Sequence, residues 1–402
     1  MDAVDKLLAT YKNLAVRGVV QKSAYATYKI LHRFLLSKNV VDTNGLRLVP
    51  RKPFLQSAGG NNAGRSVVCV TGFGHSGSGA VVDLLSEYKG VDVIGLTDKN
   101  GSLREDSGFE FDFLRATGGL FSIEAQYHGN GWFPMGDAIR MFLRLVAFLH
   151  LEIGGRFNND FLKATRDFLD KLLLPTSNKV SAGGRTCGYD GRGHLSVLGV
   201  EGARLVWGDN GVERAFLLRE LSVAEYRGIA REYICRVLDI LTSERVVVLD
   251  QAVTDWTADI GRYRDYLGPL KLIAVYRDPR DSFVTGRRFK ECWLPCNPKD
   301  YARMIRHWIE PYMKLTDDDF LIFRFEDLVI NYAEVVGRIE RFLGLTGEAH
   351  VRARQAFDPE VSVKNIGIYK TYEDQEPISV VAQMLPEFIY QNHDGIISVA
   401  KL

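Results

Sequence analysis

An α/β architecture, a P-loop-like parallel β-sheet flanked by helices, follows from three features of the sequence. Short apolar runs of strand type recur at Val67–Val70, Val91–Ile94, Val246–Leu249, Leu272–Val275 and Phe320–Phe323. Stretches with helical spacing, Val81–Tyr88, Ala224–Leu241 and Ala333–Leu343, alternate with them, the pattern of a mostly parallel sheet covered by helices. The stretch Val67-Val-Cys-Val-Thr-Gly-Phe-Gly-His-Ser-Gly-Ser-Gly-Ala-Val-Val-Asp-Leu-Leu85 then reads as a buried strand, a glycine-rich turn and the start of a helix. Such a turn cradles phosphate, because its backbone N–H groups converge and the helix N-terminus adds positive potential.

The 402 residues are enough for one large α/β domain with additions, or for two domains. Apolar residues at 46%, charged residues at 25% and a formal net charge of +1 are those of a globular protein, with no global attraction for nucleic acid. Cys69, Cys187, Cys235, Cys292 and Cys296 form neither an even disulfide framework nor paired C-x-x-C spacing, so a reducing cytoplasm is expected and a metal is not. The acidic residues Asp2 and Asp5 near Met1 do not fit a signal peptide, and no apolar run is long enough to span a bilayer.

Residues 1–64 read as a helical preface and linker. Leu7, Leu8, Tyr11 and Leu14, then Tyr25, Tyr28, Leu31, Phe34 and Leu35, recur at helical spacing among lysines and arginines. That face suits either an extra layer on the core or peripheral contact with a membrane surface. Ser57-Ala-Gly-Gly-Asn-Asn-Ala-Gly64 is linker by composition, and the main domain is expected over 65–402. Within it, 136–221 interrupts the alternation with an amphipathic helix at Ala138–Leu151, a Gly- and Arg-rich stretch at Gly183–Gly193 and a hairpin around Asp209-Asn210-Gly211. An insertion of this kind is expected to shape an acceptor pocket or to be purely structural.

In the glycine turn, Gly72 and Gly77 have Walker spacing, but Ser78 stands where the lysine of an ATPase loop belongs. Gly72-Phe-Gly74-His-Ser-Gly77 also satisfies G-x-G-x-x-G, with Asp92 near the distance of a ribose-binding acid, so a nicotinamide-dependent oxidoreductase is an alternative. That alternative leaves a second polar strand end unexplained. In Lys271-Leu-Ile-Ala-Val-Tyr-Arg-Asp-Pro-Arg-Asp-Ser-Phe-Val-Thr285, a strand delivers Arg277 at its tip and Pro279 suits a helix start. Thr285 lies about two helical turns further on, where it and Arg277 are expected to grip one phosphate.

The two segments together resemble the 3′-phosphoadenosine 5′-phosphosulfate-dependent sulfotransferases, and among them the bacterial-type, carbohydrate sulfotransferase-like enzymes. In that family a strand-loop-helix, P-[KR]-x-G-[TS]-T, wraps the 5′-phosphosulfate and a later R-[DN]-P-x-D-x-x-x-S binds the 3′-phosphate. Gly74-His-Ser-Gly-Ser-Gly79 and Arg277-Asp-Pro-Arg-Asp-Ser-Phe-Val-Thr285 match these in order. Phe323-Arg-Phe-Glu-Asp-Leu-Val-Ile-Asn331 with Ile339-Glu-Arg-Phe-Leu-Gly-Leu345 is similar to the family's YEDL…FLGL region. Lys364-Asn-Ile-Gly-Ile-Tyr-Lys370 is similar to its C-terminal G-x-W-K stretch, with Tyr369 for the tryptophan. The resemblance extends from about Arg65 to Tyr390 and is carried by these four islands.

What the resemblance implies is a sulfotransferase fold, that phosphosulfate as co-substrate with no metal, and a glycan or other hydroxyl as acceptor. Gly74, His75, Ser76, Gly77, Ser78 and Gly79 would hold the 5′-phosphate; Arg277, Thr285, Lys364 and Lys370 would serve the nucleotide's phosphates. His75 occupies the family's lysine or arginine position, where an imidazolium would donate to the leaving oxygen; packing alone is the other reading. In Phe109-Glu-Phe-Asp-Phe113 the carboxylates of an extended segment share one face opposite the phenylalanines. Glu110 is the first choice for general base, before Glu105, Asp112, Glu124 and His128. A non-catalytic nucleotide-binding protein is the third reading, prompted by the missing loop lysine.

Overall fold

The computed structural model describes residues 65–94, 96–97, 103–104, 113–114, 119–128, 137–148, 158–173, 219–253, 259–289 and 294–391. The preface and linker, the Gly183–Gly193 stretch, the hairpin and the carboxylates Glu105, Glu110 and Asp112 lie outside these. The chain divides into two compact units, Met1–Leu55 with Leu173–Leu217 and Gln56–Leu172 with Leu218–Leu402; the labelled elements all belong to the second.

Five parallel strands form its sheet: β1 (Ser66–Gly72), β2 (Val91–Ile94), β3 (Val246–Asp250), β4 (Leu270–Tyr276) and β5 (Phe320–Arg324). Each coincides with one of the five expected apolar runs. Their order is β2-β3-β1-β4-β5. The central strands are buried along nearly their whole length, which is why they read as continuous Val, Leu and Ile runs.

The helices are α1 (Ser78–Ser86), α2 (Leu120–Tyr127), α3 (Asp137–Phe148), α4 (Asn159–Leu172), α5 (Val223–Leu241), α6 (Ile260–Leu267), α7 (Pro279–Phe289), α8 (Pro298–Met313), α9 (Phe325–Ile330), α10 (Tyr332–Leu343) and α11 (Gln375–Met384). Val81, Leu84 and Leu85 of α1 and Val335 and Ile339 of α10 share one core with Val68, Val70, Val248 and Ile273 of the sheet. A second apolar centre joins Phe113, Phe142 of α3, Phe161 and Phe168 of α4 and Tyr233 of α5. The described part of the expected insertion thus packs on the α5 layer.

Strand order corrects the dinucleotide alternative. In that arrangement the strand bearing the ribose acid lies directly beside the glycine-turn strand. Here β3 separates β2 from β1, and Asp92 is the second residue of β2 rather than its C-terminal tip. Two strand spacings put it about 10 Å across the sheet from β1. After β1 the chain crosses to β2 on one side, and after β4 it crosses to β5 on the other, so the crevice for a ligand opens between the ends of β1 and β4.

Candidate active site

The turn after β1 is built from left-handed backbone: Gly74 at φ 68°, His75 at φ 53° and Gly77 at φ 89°. The Phe73 N–H donates to Ser76 Oγ at 2.9 Å and closes the turn from inside. Gly72 has no room for a side chain, because a Cβ there would stand 2.3 Å from Ser76 Oγ and 2.8 Å from Ser78 Oγ. At Gly79 the same atom would meet nothing within 4 Å. Gly77 is the N-cap of α1 with no side chain capping it, and the first turn carries no acidic residue. Among the described residues the N-terminal N–H groups of α1 therefore have no side-chain cap.

Arg277 leaves the tip of β4 and is 7% exposed. Its guanidinium donates to the His75 carbonyl at 3.1 Å, to Thr285 Oγ1 at 3.3 Å and to the Asn365 carbonyl. Its Nε is buried without a hydrogen-bond partner among the described residues. Arg277 and Thr285 are brought together as expected, with one refinement: the Thr285 hydroxyl donates to the Asp281 carbonyl of its own helix and accepts from Arg277.

The C-terminal island is clamped to this corner. Asp281, fully buried in the first turn of α7, accepts the N–H of Gly367 at 2.7 Å and of Tyr369 at 3.0 Å. Burial raises its carboxyl above the usual range against the pull of Arg277 and these two bonds. The Arg280 guanidinium lies 3.9 Å over the Tyr369 ring, so this tyrosine presents its aromatic face to a cation. Lys364 and Lys370, on either side of this clamp, have exposed side chains.

Phe325, at the start of α9, is the floor that the sequence reading missed. A Cβ on Gly77 would strike its ring at 2.3 Å, and the Arg277 guanidinium lies 5.4 Å from the ring centre. One aromatic ring thus touches the glycine turn and the β4 arginine together. Its neighbour Glu326 accepts the Asp278 N–H at 2.8 Å while Oε2 is buried with no partner among the described residues. Burial raises the Glu326 carboxyl to about 7.

The His75 ring lies along α7, with its Nε2 buried. It stacks on Phe289 with centroids 5.7 Å apart, and its carbonyl rather than its ring meets Arg277. Phe289 itself is 68% exposed. Of the two expectations for His75, packing describes the stack on Phe289.

Glu124 takes a different place from the one expected of a general base. It is 1% exposed and accepts from Arg227 at 2.8 and 2.9 Å, from Arg262 at 3.4 Å and from Tyr266, with His128 Nε2 at 3.0 Å. Burial alone would raise its carboxyl, but the bonds from Arg227, Tyr266 and His128 outweigh burial and hold it at about 2. So acidic a carboxyl is too weak a base for a hydroxyl proton at neutral pH. Among the described residues no group of three His, Cys, Asp or Glu side chains is placed to hold a metal ion.

Comparison with known families bears on the β4 half of this crevice. Residues 267–358 match the sulfotransferase domain family. The sulfotransferase match spans β4, Arg277, Thr285, Phe325 and Glu326; the glycine turn and the Lys364–Lys370 clamp lie outside it. No curated protein matches the chain. Solved structures similar to it include the sulfotransferase domain of the Synechococcus PCC 7002 olefin synthase, at 12% identity over 84% of this chain and 93% of that one, TM-score 0.32. Another is sulfotransferase STF9 from Mycobacterium avium, at 11% identity over 81% and 76%, TM-score 0.33. A retinol dehydratase in complex with androsterone and the inactive cofactor PAP is similar at 13% identity over 80% of each chain, TM-score 0.32.

Proposed function

We propose that this chain is a sulfotransferase using 3′-phosphoadenosine 5′-phosphosulfate, with a sugar hydroxyl of a polysaccharide or glycolipid precursor as acceptor. The observation that carries the reading is Arg277: a buried cation bonded to two carbonyls and a hydroxyl, with an Nε unpartnered among the described residues, at the crevice where the loops after β1 and β4 part. A buried guanidinium whose hydrogen bonds among the described residues all go to neutral oxygens suits an anion supplied from outside.

The residues fit a nucleotide with phosphates at both ends. The N–H groups at Ser76 to Gly79 and the serine hydroxyls suit the 5′-phosphate, and the open space at Gly79 lets an anion approach the backbone. Arg277, Thr285 and the lysines at 364 and 370 suit the 3′-phosphate. When bound, the co-substrate supplies an activated sulfur whose bond to the bridging phosphate oxygen breaks as the acceptor oxygen bonds to it. The protein's part is to position both partners and to neutralise charge. In this reading His75 donates a proton toward the leaving oxygen after a rotation off Phe289, and Glu110 is the base for the acceptor proton. The exposed Phe289 ring beside His75 offers an apolar platform that suits one face of a pyranose. The cytoplasmic location expected from the cysteines belongs to the same proposal; among the described residues no helix is long and apolar enough to cross a membrane.

Calorimetric titration with 3′-phosphoadenosine 5′-phosphate tests the reading, with NAD as control. Saturable binding of the bisphosphate and none of NAD is expected; binding of NAD in its place would overturn it.

A further inference from the structure

β3 ends at Asp250, and the next residue, Gln251, has φ 56°, a left-handed backbone that a glutamine rarely adopts. The Gln251 N–H still bonds the Val70 carbonyl at 2.7 Å, so the turn begins only after the strand register with β1 has been kept. Its side chain reaches the end of β1 and the start of α1. There Oε1 lies 3.4 Å from the Gly72 N–H, while Nε2 lies 2.7 Å from Ser78 Oγ and 3.4 Å from Asp250 Oδ1.

Those contacts fix which way the amide points. A backbone N–H can only donate, so the atom facing Gly72 is the carbonyl oxygen; the NH2 then faces Ser78. Ser78 Oγ must therefore accept, and its own proton is left to be given elsewhere. Ser76 is in the same condition, since its Oγ accepts the Phe73 N–H at 2.9 Å. Both hydroxyls stand beside Gly72, at the uncapped N-terminus of α1.

We propose that Gln251 is a positioning residue that makes the Ser78 hydroxyl an obligate hydrogen-bond donor to the anion bound at the turn after β1. The role rests on the nucleotide reading above. It also gives the left-handed backbone a reason: Gly or Asn would relax it, but neither side chain reaches both Gly72 and Ser78.

A double-mutant cycle with 3′-phosphoadenosine 5′-phosphate as the titrant tests this, using Gln251→Ala, Ser78→Ala and the double variant, each checked for an unchanged melting profile. Each single change is expected to weaken binding about tenfold, the effect of losing one bond to a charged group, and the double variant is expected to bind like Ser78→Ala alone. Gln251→Met, which keeps length without polar atoms, replaces the alanine variant if that one fails to fold. Gln251→Glu adds a readout that a merely structural role would not move. Its carboxylate accepts the Ser78 hydroxyl's hydrogen bond at high pH and, once protonated, donates to Ser78 Oγ instead, so affinity should recover on acidification more in that variant than in Gln251→Glu/Ser78→Ala, where only charge repulsion is relieved. Additive losses, or wild-type affinity in Gln251→Ala, would overturn the assignment while leaving the nucleotide reading intact. Failure of the wild-type protein to bind the bisphosphate would overturn both.

Discussion

Arg277 and Glu124 are both buried charges at the meeting of several elements, and they are satisfied in opposite ways. Glu124 is surrounded by Arg227, Arg262, His128 and Tyr266, so its counter-charge comes from the protein. Arg277 is met by two carbonyls and a hydroxyl; of the carboxyl groups that feel its charge, Asp281 accepts the N–H groups of Gly367 and Tyr369 and Glu326 accepts that of Asp278. A buried charge whose partners are all internal holds the fold together. One that lacks an opposite charge in its own bonding shell is arranged for a charged visitor.

The sharpest way to break this contrast is at Glu124. Replacing it with alanine leaves the two arginines without their shared carboxylate and should cost about 4 kcal/mol of unfolding free energy, read by denaturant titration, with nucleotide affinity unchanged. Because its folded carboxyl lies below the ordinary value, the stability it contributes is present above about 4.5 and is lost as pH falls toward about 2. A larger effect on binding than on stability would erase the distinction between the two sites.

Glu326 sharpens it from the other side. Its carboxyl is raised from 4.5 to about 7, so its share of stability is complete below pH 4.5 and declines as pH rises through 7. Glu326→Gln keeps an acceptor for the Asp278 N–H and removes the titration. The stability of that variant relative to wild type should rise by about 3 kcal/mol between pH 4 and pH 8, measured by urea unfolding across the range. A constant difference would mean that the buried oxygen is hydrated.

Arg277→Ala should weaken binding of 3′-phosphoadenosine 5′-phosphate about 100-fold by calorimetry, with a melting midpoint close to wild type. Unfolding of the variant with retained affinity in its folded fraction would put Arg277 in the same class as Glu124. The smallest expected change is at Lys370→Ala, an exposed cation, where affinity should fall severalfold at low salt and the difference should shrink as ionic strength rises.

Much of the frame was legible because burial leaves a mark on composition. Strands buried on both faces must be apolar throughout, and Val67–Val70 and Leu272–Val275 show it without any partner being known. The glycine turn was equally readable, since left-handed backbone and a close approach select glycine at Gly74 and Gly77. Phe325 was not, because a phenylalanine after a strand has the same pattern whether it packs in a core or lies under a glycine turn. Gln251 carried only one signal, a polar residue directly after Asp250 at the end of an apolar run, and nothing local says that it reaches Ser78. Glu124 was misplaced among the candidate bases for a related reason: its arginine partners lie 103 and 138 residues away in the chain.

The sequence by itself determined the five strands, the glycine turn after β1 and the arginine at the tip of β4, since each depends on periodicity, backbone conformation and chemistry within a few residues. Only the tertiary structure decided the strand order that sets Asp92 apart from the turn, the floor that Phe325 makes beneath Gly77 and Arg277, and the amide that aims Ser78. These depend on contacts between segments up to about 250 residues apart, formed when burial of apolar surface packs the layers together, and no local pattern records which partner a buried group will meet.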